Sequence, residues 1–367
     1  MIFLDYNSTT EAAPEVIRAM VDAYKLPLNN SSTHQLGRQA KKLVENAREE
    51  VKKLLNAQNY EVVFTSSSTE ATNTVFFGCD VKKIIFSKIE HSSVFACRPE
   101  NKEIIEVNAS ENGLIDLADL EKKLPNDGSF LLSAMLANNE NGAIQPIAEI
   151  SKLTHQKGGL FHCDIVQAVG KIPVDLEKLN VDFASVSAHK FHGPQGVGVL
   201  LFRKGLDVKP LIHGSKQEKS KRAGTMNVAA ISGFGEACKI TAEKISDYKN
   251  IEKLRNQLEE KIKEIGGNDV MIFSDTVSRL PNTSYIATRG CDSQTQLINF
   301  DLNGICVSAG PACSSGTSTE SRILKSMGIA PEFSTAAIRV SLGLKTTSDE
   351  IEKFVEVWKN FYQKTKK

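Results

Sequence analysis

Residues 61–73 read EVVFTSSSTEATN. Aromatic and β-branched residues run to Thr65, hydroxyl residues follow, and Ser67 and Glu70 have the spacing of a capping box that opens a helix. A strand, a tight turn and a helix succeed one another with no linker between them. The pattern continues downstream in the short apolar runs KIIFS (83–87), EIIEV (103–107), FLLSAML (130–136), GLFHCD (159–164), FASVSA (183–188) and GVGVLLF (196–202). Helical segments such as IAEISKLTHQK (147–157) lie between many of them. Strands that are apolar on both faces and alternate with helices predict a buried, largely parallel sheet in an α/β architecture with right-handed crossovers.

Past residue 240 the pattern changes. Ile245, Tyr248, Ile251, Leu254, Leu258, Ile262 and Ile265 recur at helical spacing and predict one long amphipathic helix over 241–265. Candidate strands follow at TSYIAT (283–288) and AIRVSL (337–342). The chain closes with a helix from Ser348, capped by Thr347 and Glu350, with Ile351, Phe354, Val355, Trp358 and Phe361 facing inward. These features predict a large α/β domain over 14–245 and a smaller α+β domain made of 1–13 and 246–367.

Composition excludes several classes. Forty-five Lys and Arg balance 44 Asp and Glu over 367 residues, so there is no basic footprint for nucleic acid. No apolar run reaches the roughly 18 residues of a membrane span. The N-terminus has neither a signal-peptide core nor an Arg-rich leader, and the expected location is the cytosol. The cysteine count is odd, seven in all, and no C-x-x-C pair occurs, which argues against a disulfide framework. His189 and His192 form H-x-x-H without the helical context of a zinc site, so no metal is expected. Cys163 and Cys238 read as core residues. Cys306 reads as buried, with a disulfide to Cys313 as the alternative.

Three segments carry chemistry when taken together. The hydroxyl run before a helix start suits a phosphate, although a helix cap explains it equally well. In HCDIVQAVG (162–170), Asp164 ends an apolar strand, where open α/β sheets place ligands, with Gln167 three residues on. In SVSAHKFHGPQGVG (185–198), Lys190 sits between two strands. The glycines beyond it do not follow the order of a dinucleotide fingerprint. A phosphate cradle, a strand-end Asp and a downstream Lys are the parts a pyridoxal phosphate enzyme needs, with the Lys forming a Schiff base and the Asp keeping the pyridine nitrogen protonated.

Beyond these segments, LDYNSTT (4–10), NNSSTHQLGR (29–38), KIEHSSV (88–94), NNENG (138–142), RAGTMN (222–227), SAGPACSSG (308–316) and IRVSLG (338–343) occur in an order that resembles the pyridoxal-phosphate cysteine desulfurases of NifS/IscS type, within the class V aminotransferase group. The resemblance implies the fold type I architecture of pyridoxal-phosphate transferases and an enzyme that converts L-cysteine to L-alanine. It implies Lys190 as the Schiff-base lysine, Asp164 and Gln167 as partners of the ring nitrogen and hydroxyl, and His91 as the residue stacked on the ring. Ser68, Thr69, Ser187 and His189 are implied as phosphate contacts. Thr225 is implied to reach the phosphate of a neighbouring subunit in a homodimer. Asn139 is implied to contact cofactor and substrate, and Arg339 to hold the substrate carboxylate with its planar fork.

In the same resemblance Cys313 is the nucleophile. It takes sulfur as a persulfide and passes it to a protein acceptor, for iron–sulfur assembly or tRNA thiolation. The small residues of AGPACSSGT (309–317) suit a mobile delivery loop. The chain departs from the family at Asn30, at Pro311 beside the nucleophile, and at Gly214–Glu218, where relatives have more glycine. Its C-terminus also stops soon after the last helix, where longer relatives dock a scaffold. The alternatives are a selenocysteine lyase or aminotransferase of the same fold, and a non-catalytic sulfur carrier or assembly subunit.

Overall fold

The computed structural model describes residues 1–310 and 320–366. Cys313, Pro311 and most of the expected delivery loop lie outside the described residues.

Among the described residues, seven strands form the central sheet, in the order Tyr60–Thr65, Gly198–Arg203, Phe183–Ser187, Leu160–Asp164, Phe130–Met135, Lys83–Ser87 and Glu103–Val107. These are the seven apolar runs read from the sequence, with ends shifted by a residue or two. The five strands from Phe183–Ser187 to Glu103–Val107 run parallel. Gly198–Arg203 is antiparallel to both of its neighbours. The link between Ser187 and Gly198 is too short for a crossover helix, so the chain has to turn back on itself. Both sheet faces are covered: Ile84 and Ile85, Leu131 and Leu132, and Leu200 and Leu201 are buried in alternate directions.

A second sheet contains Val270–Ile272, Thr283–Thr288, Ala337–Ser341 and Ser308–Ala309. Its core joins Ile251, Leu258 and Ile262 to Phe354 and Trp358, and takes in Leu4 from the N-terminus. The first strand, Ile2–Phe3, pairs with Ile305–Cys306, so the chain's beginning is built into its last third.

The structure revises four local expectations. The 241–265 segment is divided between two helices, Val228–Lys244 and Tyr248–Gly266, with a 3-10 turn at Ile245–Asp247 between them. Ser246 and Asp247 compete for backbone hydrogen bonds and favour such joints, while the 245–248–251 spacing carries the apolar stripe across. The terminal helix has its full Thr347–Glu350 capping box. Phe361, however, is half-buried, at a point beyond which the described residues become exposed, and Val357 is buried instead. At Ser67 half of the predicted box forms. The hydroxyl accepts from Glu70 N at 3.2 Å, but the Glu70 carboxylate turns to Ser66 N at 2.8 Å and to Arg222 Nε at 2.9 Å. Cys163 and Cys238 are buried, whereas Cys306 is only half-buried. Among the described residues no helix is long and apolar enough to cross a membrane.

Candidate active site

Parallel strands bring their carboxyl ends to one edge of a sheet, and loops leave from that edge. Here Thr65, Ser87, Met135, Asp164 and Ser187 are the last residues of their strands. A cavity of about 400 Å³ lies beyond that edge. Its lining includes Ser68, Thr69, His91, Asn139, Asp164, Gln167, Ser187, His189, Lys190 and Arg339. Segments more than 250 residues apart in sequence thus meet in one place. Thr225 is not in the lining and is exposed. A larger groove of about 720 Å³ runs from Phe3 to Tyr24 and Pro194. It has no basic side chain among its described lining residues, so size alone does not locate the chemistry.

Lys190 closes the 3-10 turn Ala188–Lys190, directly after the Phe183–Ser187 strand. Its Nζ donates to Asn7 O at 2.7 Å and Ser8 O at 2.6 Å. Burial and the nearby Arg339 lower its pKa to about 8, against the pull of Asp5 and Asp164. Asp164 is fully enclosed at the end of its strand, and its Oδ1 accepts from Val166 N at 2.9 Å. Burial raises its pKa to about 6, moderated by that N–H and by Lys190. An amine far more easily deprotonated than an ordinary lysine and a buried carboxylate therefore face one cavity.

At the opposite end the Ser68–Gly78 helix begins with Ser67 as its cap. Its first-turn N–H groups and the hydroxyls of Ser68, Thr69 and Ser187 make an anion cradle. Gly198 pairs with both Thr65 and Ser187. A Cβ there would lie 2.5 Å from the carbonyl carbon of Ser67 and 2.8 Å from Ser68 N. The cradle can approach the sheet only because residue 198 has no side chain. His189 Nδ1 is 3.1 Å from Thr9 Oγ1, and burial, Lys190 and Lys171 lower its pKa to about 4.

On the other wall, Arg339 donates to Asn139 O at 2.9 Å and pairs with Asp5 at 2.7 Å. Its Nε and Asn139 Oδ1 are buried without partners among the described residues. His91 caps the short helix Ser92–Phe95 by accepting from Ser93 N at 3.1 Å through Nδ1. The neutral ring therefore carries its proton on Nε2. The surrounding protein, Lys190, Arg322 and Arg339 lower its pKa to about 4. The residue is exposed and lines the cavity.

Sequence reasoning missed the group that ties these residues together. Asn7 receives Lys190 and Gln167 on its carbonyl and Lys171 on its Oδ1. Gln167 gives one amide hydrogen to Asn7 and accepts from Lys171, which leaves its second hydrogen for a ligand. Asn7 lies within LDYNSTT (4–10) and Lys171 directly follows HCDIVQAVG (162–170), but their part is tertiary. Glu90 and Arg322 also line the cavity.

The sequence model of the class V aminotransferases matches residues 2–354. The chain belongs to the class V aminotransferase family. It is 39% identical to a protein named cysteine desulfurase IscS from Dictyoglomus turgidum, over 99% of this chain and 95% of that one. A protein of the same name from Clostridium botulinum is 37% identical, over 97% and 93%. Among solved structures, a NifS-like protein from Rickettsia africae superposes with a TM-score of 0.92 at 38% identity, covering 99% of both chains.

The family is pyridoxal-phosphate-dependent, and the residues in this cavity fit that cofactor. Lys190 would anchor it covalently, Asp164 would sit against a protonated ring nitrogen, and the cradle left open by Gly198 would take its phosphate. A pH dependence follows. Attachment through Lys190 would need its free amine, a fraction that rises with pH through about 8. Rebinding of pyridoxal phosphate to cofactor-free protein, followed by absorbance, should be about 50-fold slower at pH 6 than at pH 8. A flat profile would show that Lys190 does not control it.

Proposed function

We propose that the chain is a pyridoxal-phosphate-dependent cysteine desulfurase, which moves sulfur from L-cysteine to Cys313 and releases L-alanine. The observation that carries the reading is the joint approach of Lys190, Asp164 and the 67–69 cradle to one cavity that also holds His91 and Arg339. The names of the relatives support the same reaction.

When bound, pyridoxal phosphate supplies an electron sink that loosens bonds next to the amino-acid carbon it holds. The protein's own groups do the rest. Arg339, held rigid by Asp5 and Asn139, presents its remaining N–H groups to the substrate carboxylate. His91 holds a proton on Nε2, facing the substrate. The Cys313 thiolate attacks the substrate sulfur. One S–S bond forms as the C–S bond breaks, and the substrate carbon gains a proton. The enzyme thiol and cysteine become enzyme persulfide and alanine, with no external oxidant. Sulfur leaves on Cys313 for a protein acceptor, an iron–sulfur scaffold or a tRNA-thiolating enzyme, in the cytoplasm. The unit is a homodimer in which Thr225 of each subunit reaches the other's phosphate, in keeping with its exposure.

The test is to add L-cysteine to the purified yellow protein. Alanine should appear, and Cys313 should become one sulfur atom heavier by peptide mass spectrometry. Cys313→Ala should retain its colour and lose both products. Full sulfide release by that variant would sink the desulfurase reading in favour of another chemistry of the same fold.

A further inference from the structure

Arg322 belongs to none of the sequence motifs that define the cavity, yet its guanidinium is bound into one wall. It opens the helix Arg322–Ser326, whose cap is Ser321. The first turn of a helix is a poor place for a cation, so tertiary contacts account for its position. Nη1 donates to Lys88 O and Nη2 to Glu90 O, the carbonyls just before His91. The guanidinium also lies over the Phe95 ring, 4.1 Å from its centre. Phe95 is the last residue of the short helix that His91 caps. One planar fork thus grips the chain on both sides of a single histidine. A flexible ammonium cannot reproduce the two parallel bonds and the stack together. Ser321 holds the base of this post by donating to Glu140 Oε2 at 2.7 Å.

The geometry points to Arg322 as a positioning residue that acts through His91, fixing the ring over the cavity and keeping it in its Nε2–H form. This inference rests on the reading of His91 as a catalytic group. The charged groups facing the ring come from several elements. Lys190 and Arg339 stand with Arg322 as cations, and Glu90, Glu140 and Asp164 line the same cavity as acids. Burial pushes all three acids toward their neutral forms, well above the usual carboxylate range for Glu90. The cations therefore dominate at the ring. The Ser93 N–H aimed at Nδ1 also opposes a second proton there.

The test uses the holoenzyme, with histidine rings followed by NMR and His91 assigned from a His91→Asn variant. In the wild type His91 should titrate near pH 4. In Arg322→Met the midpoint should rise by about one pH unit, and kcat should fall about tenfold through misplacement of the ring, with KM changing little. Arg322→Lys keeps the charge and so tests the idea even if the methionine variant fails to fold. It should keep the low midpoint and recover part of kcat. Combined with His91→Asn, either Arg322 substitution should cost nothing further. An unmoved His91 midpoint in Arg322→Met, or full additivity in the double variant, would overturn the inference. If instead His91→Asn alone retains full turnover while the NMR shift appears, it is the catalytic reading of His91 that fails.

Discussion

Lys190→Ala should yield a chain to which borohydride no longer fixes pyridoxal phosphate, with cysteine turnover lowered by at least about 1,000-fold. Another lysine could serve only if its amine reached the cavity. Lys171 is the obvious substitute, because its Nζ is 2.9 Å from Asn7 Oδ1 and Lys190 binds the carbonyl of that same residue. Lys171 is 2% exposed and does not line the cavity. Its amine is held by the side-chain oxygens of Asn7 and Gln167. Burial and the neighbouring cations push its pKa well below that of an ordinary lysine. A neutral amine would be reactive, so exclusion from the cavity, rather than protonation, is what denies it the role. Removing Lys190 also removes a positive charge from beside His91 and Asp164, and both should then titrate higher. Retained borohydride fixation in Lys190→Ala, traced to a Lys171 peptide, would show that the Asn7 hub is looser than its hydrogen bonds imply.

Much of this architecture was legible because it depends on local pattern. The apolar runs that end at Thr65, Met135, Asp164 and Ser187 could be placed to within a residue, and a parallel sheet then brings those ends together. That is why Asp164 and the hydroxyl cradle could be read from their own segments. The reversal of Gly198–Arg203 was harder to see, since it depends on the brevity of a loop rather than on the composition of the strand. The joint at Ile245–Asp247 was hidden because the apolar spacing runs through it unbroken. Arg322 gave no signal: in sequence it is an unremarked cation, and its meaning comes from Lys88 O, Glu90 O and Phe95, more than 220 residues earlier. Asn7 is similar, since its two oxygens gather Lys190, Lys171 and Gln167 only after the chain's start folds against the strand ends.

Asp164→Asn separates a cap on the turn at Val166 from a partner for the ring nitrogen. Asparagine keeps the shape and can still accept from Val166 N through its Oδ1, so a capping role survives the change. Only the charge is lost. Losing one partner of a buried charged pair costs roughly 3–5 kcal/mol, so turnover should fall at least about 100-fold. Attachment should respond differently. Asp164 raises the pKa of Lys190, so its removal lowers that pKa below about 8 and increases the free amine at pH 7. The variant should therefore still be fixed to the cofactor by borohydride, with the pH profile of attachment moved to lower pH. Weak turnover with intact attachment is the signature of a carboxylate that acts on the ring. Turnover within about tenfold of the wild type would instead mean that Asp164 only caps the turn at Val166, and that the buried charge, expensive as it is to keep at neutral pH, has some other purpose.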